Sequence, residues 1–174
     1  MAQQRVHVLT AVRRERHADA RQHAHLAVAQ HDRRAQRLDD ALGDTSDAVL
    51  ALHGTLFGAR CTRCGRRTPH DVSTAETLPR CEGCGALLRP DVVWFGETLD
   101  PRVLDAAFDA SRSADACLVV GTSALVQPAA RVATLAARAG ATVVEVNAEE
   151  TPLSGVAAFA LRGRAGEIVP RLLD

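Results

Sequence analysis

The sequence contains no lysine: all 21 of its basic residues are arginine, and 21 acidic residues cancel them to a formal net charge of zero over 174 residues. Without an excess of positive charge the chain has no overall electrostatic footprint for nucleic acid, so no nucleic-acid partner is expected. It also lacks any run of about 18 apolar residues, the length a membrane-spanning helix requires, and no membrane association is expected. Nothing ahead of Cys61 has the continuous apolar core of a secretory leader. Together these absences predict a cytoplasmic protein in a reducing compartment, where paired cysteines bind metal more readily than they form disulfides.

Four of the five cysteines are set as two Cys-x-x-Cys pairs, Cys61/Cys64 and Cys81/Cys84, with sixteen residues between the pairs. Four thiolates close a tetrahedral shell around Zn²⁺, and this interval is that of a zinc ribbon. Gly65 and Gly85 directly follow the second cysteine of each pair, where a small residue lets the backbone turn tightly around a metal. With every ligand position taken, the expected zinc is structural. A catalytic ion would keep a position open for water. The fifth cysteine, Cys117, lies in an apolar run and reads as a buried core thiol.

The chain changes character along its length. Residues 1–43 hold eight arginines, five acidic residues and five of the seven histidines, with no proline. They read as an atypical Arg/His/Ala-rich extension, either a loosely anchored polar helix over about Val12–Leu42 or a disordered stretch. His17, His23, His25 and His31 have no carboxylate or cysteine spaced to complete a metal shell and read as solvated. Residues 44–174 have the composition of a folded domain, with the zinc module at about 59–88.

Asp100-Pro101 has the form of a helix N-cap followed by its first helical position, and Val103, Leu104, Ala107 and Phe108 supply an apolar face. Ala116–Val120 is a continuous apolar run, the pattern of a strand buried on both faces. A helix opening at Pro128 carries Val132, Leu135, Ala136 and Ala139 on one face and stops at Gly140. A second buried strand, Thr142–Val146, ends at Asn147. Strand, helix, strand at this spacing is a βαβ unit with a right-handed crossover, so the expected fold is α/β: a partial Rossmann-like parallel sheet with an inserted four-cysteine zinc ribbon. In such sheets ligands gather beyond the carboxyl ends of the strands, where Gly121-Thr122-Ser123 and Asn147 fall.

Read together, Leu52-His53-Gly54, the four cysteines, Arg89-Pro90-Asp91-Val92-Val93-Trp94-Phe95-Gly96-Glu97, Val119-Val120-Gly121-Thr122-Ser123 and Val146-Asn147 resemble the sirtuin family of NAD-dependent protein deacylases, most closely its bacterial class III branch. The resemblance covers about residues 44–174. It implies a deacylase of the deacetylase or desuccinylase type, which transfers the acyl group of a modified lysine to ADP-ribose. His53 would be the catalytic base on a ribose hydroxyl, suited to it by an ordinary imidazole pKa of about 6.5. Cys61, Cys64, Cys81 and Cys84 would hold the zinc. Gly121, Thr122, Ser123, Asn147 and Ala165 would contact NAD⁺, and Val93, Trp94, Phe95, Gly96 and Glu97 would pair by strand addition with an acyl-lysine protein or peptide.

The chain departs from that family's pattern at its start. The opening strand, a Gly-Ala-Gly-x-Ser loop that cradles pyrophosphate, and the tyrosine and arginine that select acidic acyl groups are not found in this sequence. The family's Thr-Gln-Asn-x-Asp is matched by Ala35-Gln36-Arg37-Leu38-Asp39, with Gln36 and Asp39 in step but an arginine where the asparagine belongs. Arginine accepts no hydrogen bond. These departures predict a truncated enzyme of impaired activity, a sheet with one uncovered edge, and residues 1–43 that are out of frame or substituted. An inactive zinc- and peptide-binding module is the alternative. A zinc-ribbon nucleic-acid binder, using Arg60, Arg63, Arg66 and Arg67, is a third reading.

Overall fold

The computed structural model of the chain describes residues 8–13, 24–29, 49–69 and 78–173. They fall into two compact units, one formed by Met1–Leu52 with Asp100–Asp174 and the other by His53–Leu99.

The first unit is built on a six-stranded sheet. Its strands are β1 (Val8–Arg13), β2 (Ala24–Ala29), β3 (Val49–Leu50), β7 (Ala116–Val120), β8 (Thr142–Asn147) and β9 (Phe159–Arg162), in the order β3-β2-β1-β7-β8-β9. The parallel sheet that the βαβ pattern predicts is present as β7, β8 and β9, with Leu118 opposite Val144 and Val146 opposite Leu161.

The N-terminal expectations need correction. Val12 and Arg13 end β1, and Ala24–Ala29 form β2, so the described residues within the stretch expected to be helical are extended. Val8, Thr10 and Val12, like Leu26 and Val28, recur every second residue, which is the period of a strand. β-Branched residues also favour extended backbone. β1 runs antiparallel to β7, pairing Leu9 with Val119 and Ala11 with Cys117. The edge of β7 expected to be bare is therefore paired.

Helix α1 (Pro101–Ser113) begins as its sequence predicts: the Arg102 amide donates to Asp100 Oδ1 at 2.9 Å, and Pro101 occupies a position that needs no amide hydrogen. Helix α2 (Arg131–Arg138) starts three residues later than expected, because Pro128–Ala130 form a tighter turn in which the Arg131 amide bonds the Pro128 carbonyl at 3.0 Å. It ends where expected. Gly140, at φ +95°, takes the left-handed conformation that lets its amide reach the Ala137 carbonyl and the Ala141 amide reach that of Ala136. Helix α3 (Ala165–Leu173) and β9 complete the unit.

Phe108 and Ala107 of α1, Val132, Ala133 and Ala136 of α2, and Cys117, Val119 and Val143 of the sheet form one buried cluster with Leu52 and Leu153. Each fully buried aliphatic side chain here contributes roughly 1.5–3 kcal/mol relative to exposure. The guanidinium of Arg131 lies 5.3 Å from the centre of the Phe108 ring and ties α2 to α1. Cys117 is 1% exposed, and burial pushes its thiol up to about 12, which is the behaviour of a core residue. Among the described residues no helix is long and apolar enough to cross a membrane.

The second unit carries a three-stranded antiparallel sheet in the order β5-β4-β6, formed by β4 (Gly54–Cys61), β5 (Arg67–Thr68) and β6 (Leu88–Val92). The register between β4 and β6 shifts between Thr55 and Ala59, and beyond the irregularity Gly54 and Thr55 pair again with Val92 and Asp91.

Candidate functional site

The four cysteines converge. Their sulfur atoms lie within 4.8 Å of one another, with Cys61 Sγ 3.4 Å from Cys84 Sγ and Cys64 Sγ 3.7 Å from Cys81 Sγ. A tetrahedron of Zn–S bonds of about 2.3 Å has sulfur edges of about 3.8 Å, so the set fits one zinc ion.

Two matching turns build it. Gly65 and Gly85 sit at φ +72° and +70°, and their amides donate back to the carbonyls of Cys61 at 3.2 Å and Cys81 at 2.7 Å. The Cys61 amide bonds the Arg66 carbonyl and the Cys81 amide the Ala86 carbonyl, which brings each knuckle's two ends together. Across the site the Thr62 amide bonds the Leu87 carbonyl at 3.0 Å, and the guanidinium of Arg63 donates to the Cys84 carbonyl.

The thiols differ in their surroundings. The amides of Cys64 and Arg63 favour the thiolate at Cys61 and lower its pKa. The Ala86 amide, together with the neighbouring Cys61, lowers Cys84 to about 6. At Cys64 the Arg66 amide works in the same direction, but the other thiols outweigh it and push the group up to about 11. Charge is thus drawn to selected sulfurs of a cluster that a cation would neutralise as a whole.

His53 precedes β4 and is half-buried. Its carbonyl accepts the Val93 amide at 2.8 Å, so His53 and Val93 extend the pairing in which Gly54 faces Val92. Gly54 is required here: at φ +78° a side-chain Cβ would stand 2.0 Å from the Asp91 carbonyl oxygen.

Beyond Val93 the extended run ends earlier than the sequence suggests. Trp94–Glu97 close a turn, with the Glu97 amide donating to the Trp94 carbonyl at 2.9 Å and Gly96 at φ +87° in the position that demands glycine. Phe95 at its tip is 96% exposed and Trp94 is 53% exposed. The Glu97 carboxylate is taken up within the chain, accepting the Trp94 amide at 3.0 Å and pairing with Arg89 at 2.6 Å. The Trp94 amide, with Arg89 beside it, holds that carboxyl below the usual range.

In the first unit the other predicted residues meet at the carboxyl ends of the parallel strands. Gly121, at φ +64°, donates its amide to the Val146 carbonyl at 2.9 Å. Asn147 is 6% exposed and its Nδ2 donates to the Thr122 carbonyl at 2.6 Å, fixing the loop after β7 to the end of β8. Thr122 Oγ1 in turn accepts the Ala124 amide at 3.0 Å, and Ser123 lies between them. The Gly163 amide bonds the Asn147 carbonyl at 3.1 Å, and Ala165 opens α3 just beyond. The face thus collects a glycine, hydroxyls, an amide and a helix start, the groups that suit ribose and phosphate oxygens. Gln36 and Asp39, like His17, His23 and His31, lie outside the described residues.

Sequence reasoning missed two polar clusters. Arg89 links Glu97, Val92 and Trp94. Glu145, 0% exposed within β8, accepts Ser154 Oγ at 2.6 Å and Arg162 Nη1 at 2.9 Å, and also takes the Thr151 hydroxyl. Burial works against its ionisation, yet these donors outweigh it and lower its pKa. A lone glutamate inside Thr142–Asn147 is the signal that could have found it.

Comparison with known proteins adds an independent line. The family described as "Sir2 family" matches residues 13–128. An "NAD-dependent protein deacylase" of Pyrococcus abyssi is 48% identical over 131 residues, covering 72% of this chain and 52% of that protein. One of Pyrococcus furiosus is 41% identical over 165 residues, covering 87% and 66%. One of Mycolicibacterium paratuberculosis is 47% identical over 134 residues, covering 74% and 56%. The chain thus spans between half and two thirds of the length of these curated relatives. Among solved structures, a Sir2 homolog–NAD complex superposes with a TM-score of 0.71 at 43% identity, over 78% of this chain and 53% of that one. A Sir2–p53 peptide–NAD⁺ complex gives 0.64 at 31% identity, over 72% and 54%.

Proposed function

Because the chain belongs to the Sir2 family, we propose that it is the zinc-bearing portion of a cytoplasmic NAD-dependent protein-lysine deacylase. The domain division proposed is residues 44–174 as the sirtuin-like portion, with residues 1–43 as the extension. The observation that carries the reading is the hydrogen bond between the Val93 amide and the His53 carbonyl, 2.8 Å long. It joins the candidate base and the candidate peptide-pairing segment in a single backbone ladder, a few residues from a four-thiolate cluster.

NAD⁺, as co-substrate, supplies the ADP-ribose that takes the acyl group. Gly121, Thr122, Ser123, Asn147 and Ala165 are the residues proposed to hold it, because glycine backbone, hydroxyls and an amide gather there. The imidazole of His53 would take a proton from a ribose hydroxyl of bound NAD⁺. Val93, Trp94, Phe95, Gly96 and Glu97 form the segment proposed to receive an acyl-lysine peptide by strand addition. Zinc bound by Cys61, Cys64, Cys81 and Cys84 holds the ribbon in shape and takes no part in the chemistry. The acyl group is acetyl or succinyl, and nucleic acid is not a partner.

Calorimetric titration with NAD⁺, beside deacylation assays on acetyl-lysine and succinyl-lysine peptides, tests the proposal. Turnover that His53→Ala abolishes supports the enzyme. Peptide binding without NAD⁺ binding or turnover selects a zinc- and peptide-binding module instead, a reading that Arg37 in place of an amide favours.

A further inference from the structure

Arg89 is charged, its side chain is only 13% exposed, and the proposed chemistry leaves it without a role. Its side chain makes three contacts at once. Nη1 donates to the Val92 carbonyl at 3.1 Å, Nη2 donates to Glu97 Oε1 at 2.6 Å, and the guanidinium lies 4.1 Å from the centre of the Trp94 ring. The other carboxylate oxygen of Glu97 accepts the Trp94 amide at 3.0 Å and Arg60 Nη2 at 3.3 Å. Arg60 reaches Asp91 Oδ1 at 3.6 Å, and Arg67 reaches Asp91 Oδ2 at 2.9 Å.

Both ends of the Trp94–Glu97 turn, and the strand end before it, are therefore fastened to one planar cation. A guanidinium suits this place for a geometric reason. Its fork can serve a carbonyl and a carboxylate in one plane while its face stacks on an indole, whereas an ammonium is a point charge that does neither together. Among the residues facing Glu97, the Trp94 amide fixes one carboxylate oxygen and Arg89 the other. Among the described residues the strand pairing reaches no farther than the Val93–His53 bond, so the turn itself lies outside the ladder.

We propose that Arg89 and Glu97 form a staple that positions the Val93–Gly96 segment for acyl-lysine peptide, with Glu97 acting through the turn rather than by touching the peptide. This deepens the deacylase reading and rests on it for the identity of the ligand. It assigns Arg89 as a positioning residue, and it moves Glu97 from the set of peptide contacts to the structure beneath them.

The test uses the full chain and its only tryptophan, Trp94. Arg89→Gln removes the charge and the stack, Arg89→Lys keeps the charge without the fork, and Glu97→Gln alters the same contact from the other side. Each variant is assayed for zinc stoichiometry, Trp94 emission, acrylamide quenching, and KM for an acetyl-lysine peptide and for NAD⁺. The expected result is a red shift and increased quenching in Arg89→Gln. Its peptide KM rises by about tenfold or more, while its NAD⁺ KM stays within about twofold and zinc remains bound. Arg89→Lys recovers part of the peptide affinity, and Glu97→Gln falls between it and Arg89→Gln.

Unchanged emission and quenching in both Arg89→Gln and Glu97→Gln would overturn the staple. So would a KM for NAD⁺ that rises in step with that for peptide. If the unaltered chain neither binds nor turns over peptide, the deacylase reading falls, and with it the positioning role; the quenching data then decide separately whether the staple exists.

Discussion

His53 and Val93 are joined through their backbones, the Val93 amide donating to the His53 carbonyl at 2.8 Å. The bond makes no use of either side chain. Replacing the imidazole therefore leaves this backbone pairing in place and removes the proton acceptor. His53→Ala is expected to lower deacylation by about 10²–10⁴-fold while NAD⁺ and peptide affinities stay close to those of the unaltered chain. Rates and affinities measured on the same preparation check this, and retained turnover would place the base elsewhere.

Gly54 and Gly65 offer a matched comparison. Both have positive φ, +78° and +72°, but a Cβ at Gly54 would meet the Asp91 carbonyl oxygen at 2.0 Å, whereas none of the described atoms lies within 4 Å of one at Gly65. Gly65→Ala should cost about 1–2 kcal/mol, the strain of a left-handed residue alone. Gly54→Ala adds a clash with backbone that only a shift of β6 relieves, and should cost about 3 kcal/mol or more. Thermal unfolding of the two variants measures the difference, and equal losses would contradict the close approach.

These positions also show what could be read in advance. The pairs Cys61/Cys64 and Cys81/Cys84 carried the metal cluster, because ligand spacing is a local property of the chain. Asp100-Pro101 and Gly140 marked a helix start and a helix end for the same reason: capping is decided within a few residues. Strands β1 and β2 were missed, since the alanines and arginines around them favour helix over their short alternating pattern, and pairing of β1 with β7 and of β2 with β1 decides for strand. The Arg89 and Glu145 clusters depend on side chains from separate segments meeting. A sequence shows such residues singly and not their partners.

Glu145 makes a prediction about acid. Its carboxyl is held below the ordinary value of 4.5 by the hydroxyls of Ser154 and Thr151 and by Arg162. A carboxylate whose native pKa is depressed stabilises fully above its ordinary value, and that stabilisation is lost as pH falls through the native one. Glu145→Gln should lower stability by about 1–3 kcal/mol at pH 7. It should also flatten the dependence of Tm on pH below about 4.5. Parallel Tm profiles for the two proteins would show that the group does not act this way.

One zinc ion per chain is expected, and Cys84→Ser should reduce it to well below one. Elemental analysis of the purified protein decides. Removing the metal should unfold the ribbon, because the short strand β5 and the two knuckle turns provide little apolar burial to hold it alone.

The four cysteines are unequally shielded: Cys61 and Cys81 are each 3% exposed, Cys84 is intermediate and Cys64 is exposed. Solvent therefore reaches the outer half of the ribbon's cluster, at Cys64 and Cys84, while Cys61 and Cys81 anchor its inner half.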